Sequence, residues 1–291
     1  MNNTRLTQAL ATLTPDVALA LTTSLGQQGF TGKIPASIIT PVLNQPEKLM
    51  PWLTFAAQFA ITPVSNFNVG ALVIGNSGAA YIGANMEFAG QALSQSVHGE
   101  QAAINNAWLH GETGISHLFV NASPCGHCRQ FIREIAQHQQ LQVYVLGKDK
   151  IAFNQLLPDS FGPDDLGNKF ALFEQPQQVF VASEQSPVID EIVEHANASY
   201  APYTGYYHAI GLITSDDQLF VGRYAENVAY NPSLPALQSA LSQLRFTGYD
   251  VTDIKRSILV HKTGQNIDMA QHYSSLLRQL NALNLDLVEL S

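Results

Sequence analysis

Cysteine is nearly absent from this chain. Its 291 residues hold two, Cys125 and Cys128, which excludes the disulfide framework of small secreted proteins. A close pair of this kind in a reducing compartment is metal-binding or redox-active. Charge is also sparse, 13% of residues against about a quarter in average proteins. The 14 Lys and Arg are scattered without a run and the net charge is −9, so the basic stripe of a nucleic-acid binder is missing. A small neutral ligand suits this balance better than a polyanion. No apolar run reaches the length of a membrane span, and the first twenty residues lack the basic-then-apolar order of a signal peptide. The expectation is a soluble, cytoplasmic protein. Apolar residues at 46% suffice for a sizeable core, and the thin charge is consistent with some surface being covered by a partner subunit.

The pattern along the chain predicts an α/β class. Residues 1–47 read as a small helical domain, with Thr14 and Pro15 as a helix start. Residues 46–60 form a further helix, with Pro51 marking a kink or a start. A second domain follows over 48–156. Strands are expected at 69–75, 79–86, 117–121 and 142–146, and helices near 98–110 and 126–138, an alternation that builds a layered α/β domain. The stretch 157–185, richer in Pro, Gly, Asp and Gln, reads as a linker. A third domain, 186–291, repeats the order of elements, with strands at 208–214, 219–222, 257–261 and 285–290. Pro63, Phe67, Gly83 and Glu87 align with Pro202, Tyr206, Gly222 and Glu226 at one constant offset. The two halves therefore read as copies of one fold.

The chemistry-bearing residues fall in two segments of the first copy, His98-Gly99-Glu100 and Ser123-Pro124-Cys125-Gly126-His127-Cys128. Zinc takes imidazole and thiolate ligands tetrahedrally, and three protein ligands leave the fourth position for water. Cys125 and Cys128 lie one turn apart on a helix face, at a helix start whose dipole favours thiolates. His98, from the start of another helix, is the expected third ligand. Glu100, at the same start, can face the metal-bound water without ligating it and act as a proton shuttle. Taken singly, Cys-x-x-Cys is equally a redox pair or half of a structural zinc site. A structural site needs a fourth protein ligand, and His127, beside Cys128 on a helix, is expected to point away. His195, His208, His261 and His272 read as surface or packing residues.

The order H-x-E…P-C-x-x-C is that of zinc-dependent deaminases. The stretch SNFNVGALVIG…GANMEF…VHGEQAAI…SPCGHCRQFIRE resembles the cytidine deaminase family, and the layout resembles its large homodimeric bacterial form. That resemblance implies a three-layer α/β/α fold, duplicated, with a small N-terminal helical domain. It implies one Zn2+ per chain on His98, Cys125 and Cys128, with Glu100 catalytic. Hydroxide on the metal would attack C4 of cytidine or deoxycytidine, giving uridine or deoxyuridine and ammonia, a step of pyrimidine salvage. Asn85 and Glu87 match the pair that holds the ribose 3′-hydroxyl, and Phe67 an aromatic against the pyrimidine. The Gly99 backbone would meet the base carbonyl, and the Ser123 carbonyl the leaving ammonia. Phe161 resembles an aromatic that dimeric enzymes place over the neighbouring subunit's substrate. Two departures stand out. Gly99 replaces the usual alanine, implying a looser turn, and Ala122 stands where some relatives carry a bulky aromatic. In the second copy Pro235 and Leu237 stand where His and Glu belong, and no cysteine follows. That half reads as structural, shaping the interface and covering the catalytic site. Two rivals stay open: a deaminase of another aminopyrimidine, and a silent binding or scaffold protein. The intact Glu100 speaks against the second, and the Asn85/Glu87 pair favours a ligand that carries ribose.

Overall fold

The computed structural model describes residues 4–281 and 284–291. The chain divides into two compact units, residues 1–162 with 246–248, and residues 163–245 with 249–291. In the first, the helices α1 (Thr4–Leu10) and α2 (Pro15–Leu25) precede the short strand β1 (Lys33–Ile34) and the helices α3 (Ala36–Ile39), α4 (Pro46–Leu49) and α5 (Pro51–Ala57). Pro51 starts α5 rather than kinking one long helix, because its missing N–H costs nothing in a first turn. Leu21, Ile39, Leu49, Trp52 and Phe55 are buried in one cluster with Leu72, Ile74 and Ile82 of the sheet.

That sheet contains β2 (Gly70–Gly75), β3 (Ala80–Ala84), β4 (Ile115–Val120), β5 (Gln142–Val145) and β6 (Ile151–Ala152), with helices α6 (Gly99–Leu109), α7 (Gly126–Arg133) and α8 (Phe153–Leu156) between or after them. Its order is β1-β3-β2-β4-β5-β6, with β4 and β5 parallel. In the β2–β3 ladder Gly70 opposes Ala84 and Gly83 opposes Ala71. Partners in a ladder share a face and neighbours alternate, so Gly70 and Gly83 look opposite ways. Gly70 abuts the backbone of α5 at Leu53, and Gly83 abuts that of α6 at Gly99 and Ala103. Helices thus cover both faces, giving the three layers.

The second unit holds α9 (Pro187–Asn197), β7 (His208–Thr214), β8 (Leu219–Arg223), α10 (Ala236–Phe246), β9 (Ile254–Lys262), α11 (Ala270–Asn281) and β10 (Leu285–Leu290). Its sheet order, β10-β9-β7-β8, repeats β5-β4-β2-β3, again with a parallel outer pair. The register slips after Ile74 in the first sheet and after Ile213 in the second. Gly222 abuts α10 at Ala236 and Ala240 as Gly83 abuts α6. The duplication read from the sequence therefore extends to single backbone contacts.

Two expectations are corrected. The helix expected over 126–138 ends at Arg133, and residues 138–140 turn as a 3-10 segment where the His138 ring contacts the Ile135 carbonyl. The strand expected to run through 86 ends at Ala84, because the Met86 backbone leaves the ladder and pairs with Val97. The strands β1 and β6, two residues each, are too short to leave a periodic signal. Among the described residues no helix is long and apolar enough to cross a membrane.

Candidate metal centre

The site gathers at two helix starts. His98 is the N-cap of α6, its backbone extended, and the Gln101 side chain accepts its N–H at 3.4 Å. Cys125 is the N-cap of α7 and Cys128 lies in its first turn. Cys125 Sγ lies 3.4 Å and Cys128 Sγ 3.3 Å from His98 Nδ1, with the sulfurs 3.6 Å apart. A tetrahedral zinc ion with Zn–S of about 2.3 Å and Zn–N of about 2.0 Å would set these edges at roughly 3.5–3.8 Å. The triangle is within about 0.2 Å of that size before any ion is considered, and among the described residues these three form the metal-capable group. The donors fit zinc, and three ligands leave a position open, as a catalytic site requires.

The triangle by itself favours the thiolate at Cys125, while Cys128 is raised, first by its hydrogen bond with Cys125 and then by burial. The Cys125 thiol is drawn down to about 3, first by its hydrogen bond with Cys128 and then by His98. His98 is raised, chiefly by the Cys125 sulfur against the opposing effect of burial. Glu100, in the first turn of α6 and 5% exposed, is raised by burial. Burial thus favours the protonated carboxyl relative to an exposed one.

A cleft of about 290 Å³ opens beside the triangle, lined by Val69, Asn85, Glu87, Leu93, Ser96, Val97, His98, Gly99 and Glu100. Five residues singled out in the sequence thus meet in one cavity. Asn85 Oδ1 accepts the Val69 N–H at 2.8 Å and its Nδ2 donates to the Phe67 carbonyl at 3.0 Å. Glu87 accepts the N–H groups of Val64 and Ser65, both at 2.9 Å, and the Ser65 hydroxyl. Asn85 and Glu87 share the cleft although both lie beyond the end of β3. Phe67 is 56% exposed; its carbonyl accepts from Asn85 and its N–H donates to the Ser65 hydroxyl, which in turn donates to Glu87. Gly99 opens α6 against Val69. A Cβ there would lie 2.9 Å from Val69 Cγ1, so Val69 fills the space of an alanine methyl.

Ser123 and Phe161 stand outside the cleft lining. Ser123 receives a 2.7 Å hydrogen bond from Lys148 Nζ. Phe161 is 47% exposed, and its carbonyl accepts from Gln130 Nε2 on α7 at 2.9 Å. His127 does not point away as the sequence suggested. Its ring stacks on that of His98 with centroids 4.7 Å apart. Ser65 escaped the sequence reading altogether. Its signal was the S-N-F run beside Phe67, matched by T-G-Y before Tyr206.

A layered α/β domain with a His-Cys-Cys triangle, a buried glutamate beside it and a small cleft defines a zinc-binding deaminase. Two segments of the chain, residues 43–144 and 153–273, match the family described as cytidine and deoxycytidylate deaminase zinc-binding region. The cytidine deaminase of Shewanella amazonensis is 46% identical over 217 residues, 75% of this chain and 73% of that one. That of Aeromonas salmonicida is 45% identical over 235 residues, 80% of each. That of Photobacterium profundum is 39% identical over 288 residues, 97% of each. The chain belongs to the cytidine deaminase family.

Proposed function

We propose that this protein hydrolyses the 4-amino group of cytidine and deoxycytidine, releasing uridine or deoxyuridine and ammonia. The observation that carries the reading is Glu100, buried beside the His98/Cys125/Cys128 triangle at the wall of a cleft sized for one nucleoside. Zinc held by these three residues supplies Lewis acidity and makes water nucleophilic near neutral pH. The chain's own residues do the rest. Glu100 would take a proton from the attacking water and place it on N3 of the base, then take the remaining hydroxyl proton and deliver it to the departing amino group, leaving the C4 carbonyl. It is the carboxylate of the cleft suited to this work, since Glu87 is engaged by three donors. Asn85 and Glu87 receive the ribose, Phe67 packs against the pyrimidine, the Gly99 backbone meets the base carbonyl and the Ser123 carbonyl the leaving ammonia. Val69 and Val97 give the cleft apolar walls that help to exclude water.

The domain reading follows the same line. Residues 1–47 form an N-terminal helical segment, 48–156 the catalytic domain, 157–185 a linker and 186–291 a copy without the zinc site. A homodimer is the assembly in which Phe161 would reach a neighbour's substrate. Pyrimidine salvage in the cytoplasm is the context that suits a free nucleoside. The deciding experiment follows the ultraviolet absorbance of cytidine with purified, metal-assayed protein. Conversion abolished by a zinc chelator and restored by zinc is expected. No conversion at one zinc per chain would overturn the substrate assignment.

A further inference from the structure

Ser65 occupies a joint. Its hydroxyl donates to Glu87 Oε1, and the same oxygen accepts the Phe67 N–H at 3.1 Å. Glu87 Oε2 meanwhile accepts the N–H groups of Val64 and Ser65. One hydroxyl therefore fastens a carboxylate of the cleft wall to the backbone that carries an exposed aromatic ring. The residue between, Asn66, turns the chain with φ of 55°, a left-handed conformation that asparagine tolerates better than most residues.

The second unit repeats this joint atom for atom. Glu226 Oε2 accepts the N–H groups of Tyr203 at 2.8 Å and Thr204 at 3.2 Å, and Oε1 accepts the Thr204 hydroxyl. Thr204 Oγ1 accepts the Tyr206 N–H at 3.1 Å, and Gly205 supplies the left-handed turn with φ of 70°. Positions 64, 65, 66, 67 and 87 map onto 203, 204, 205, 206 and 226 at a single offset. A unit without cysteine retains the clamp, so the clamp belongs to the fold and does not depend on a metal site. The aromatic it holds is what differs. Tyr206 is 1% exposed and spends its hydroxyl on His261 and Asp268, whereas Phe67 is 56% exposed and has no such partner.

Acceptor counting gives the clamp its consequence. An ionised carboxylate offers about four acceptor sites. Three donors occupy Glu87, which leaves room for one more, the number a single sugar hydroxyl provides. Burial alone would raise the Glu87 carboxyl, but the Ser65 hydroxyl and the Ser65 and Val64 N–H groups outweigh it and hold the group below its ordinary value. The carboxylate is thus kept as an acceptor.

We propose that Ser65 is the positioning residue for substrate: its hydroxyl sets the Glu87 carboxylate and the Phe67 backbone in one geometry, so that sugar and base are received together. This rests on the reading of Glu87 and Phe67 as nucleoside contacts. The test compares KM and kcat for cytidine, zinc content and unfolding midpoint in the full-length zinc enzyme and its Ser65→Ala, Ser65→Thr, Glu87→Gln and Thr204→Ala variants. Ser65→Ala is expected to raise KM about tenfold, the weight of one charge-assisted hydrogen bond, with zinc retained. Ser65→Thr is expected to restore KM, because the second unit builds the same joint with threonine. Thr204→Ala is expected to lower the midpoint but leave KM unchanged. A rise in KM for Glu87→Gln with none for Ser65→Ala would overturn the role of Ser65 alone. No rise for Glu87→Gln would overturn the nucleoside-contact reading and the proposal with it. A Ser65→Thr enzyme as impaired as Ser65→Ala, or a Thr204→Ala enzyme with the same raised KM, would reduce the joint to general stability and overturn the proposal. If Ser65→Ala does not fold, Ser65→Cys, with its weaker donor, must raise KM in the same direction or the proposal fails.

Discussion

A close approach between strand and helix that recurs in both units invites a paired perturbation, Gly83→Ala and Gly222→Ala. A methyl on Gly83 would lie 2.2 Å from Ala103 N and from Gly99 O, and 2.7 Å from Ala103 Cα, whereas ordinary contact begins near 3.4 Å. At Gly222 the figures are 2.2 Å to Ala236 O and Ala240 N, and 2.9 Å to Ala240 Cα. The obstructing atoms are backbone and cannot swing aside, so the helix must move off the strand by roughly 1 Å. Overpacking of this kind costs about 1–3 kcal/mol, and both variants are expected at the upper end of that range. Their functional effects should diverge. Gly99 sits between His98 and Glu100, so a displaced carbonyl there moves the ligand and the proton carrier with it. A misplacement near 1 Å costs on the order of 10²-fold in rate. Urea unfolding followed by fluorescence, together with kcat at saturating cytidine and zinc, measures both effects. Gly222→Ala should lose comparable stability with kcat per folded molecule retained. A Gly83→Ala enzyme of wild-type midpoint, or equal loss of kcat in the two variants, would refute the argument.

Glu100→Ala should keep its zinc and lose at least about 10²-fold in kcat, the usual contribution of a general acid–base group; near-normal turnover would remove Glu100 from the mechanism. Cys128→Ala should lose zinc by metal analysis, since His98 and Cys125 alone leave the ion two protein ligands; full occupancy would refute ligation. In the second unit burial presses His208 down to about 3, against the opposing contact of its Nδ1 with the Tyr206 carbonyl. Burial, with Arg223 as a lesser cause, presses His195 down to about 3 as well. Both stay neutral in the folded chain, while the unfolded imidazole titrates near 6.5. The unfolded state therefore binds more protons below that pH. Their contribution is complete above about 6.5 and is lost as the pH falls toward 3, at up to about 1.4 kcal/mol per unit for each histidine. Urea unfolding at pH 7 and pH 5 should differ by about 2 kcal/mol for each, and equal stabilities would refute their neutrality.

What the sequence disclosed was whatever local order carries. His98 and Glu100 two apart, and Cys125 and Cys128 three apart, encode their geometry within a single turn each. The repeat of Pro63, Phe67, Gly83 and Glu87 exposed the duplication because glycines at strand–helix contacts tolerate no substitute. The remainder depends on pairings distant in sequence. The three donors on Glu87 come from a loop more than twenty residues earlier, and the Val69 side chain that compensates for Gly99 lies thirty positions away. The stacking of His127 on His98 joins two helix starts 29 residues apart, a pairing that local sequence does not record.

The loss of the second site can be traced to the same contacts. Gly222 meets Ala236 and Ala240 as Gly83 meets Gly99 and Ala103, which places Pro235 at the His98 position and Leu237 at that of Glu100. The offset between copies is two residues shorter here than at Glu87 and Glu226, so the intervening loop was trimmed while the helix start stayed in register. In the first unit Cys128, on the helix that follows β4, meets His98 at the start of α6. In the second unit Tyr273, on the helix that follows β9, takes the Ala236 N–H at 2.9 Å at the start of α10. Its hydroxyl also lies 2.9 Å from His208 Nε2, and both side chains are fully buried. A phenol and an imidazole thus satisfy the helix start that a metal's ligands occupy in the other copy. A helix start buried without partners would cost free energy, so losing the ligands required a polar replacement, and Tyr273 with His208 supplies it. The second unit therefore keeps the clamp at Glu226 and fills the start of α10 with the Tyr273 hydroxyl in place of ligands.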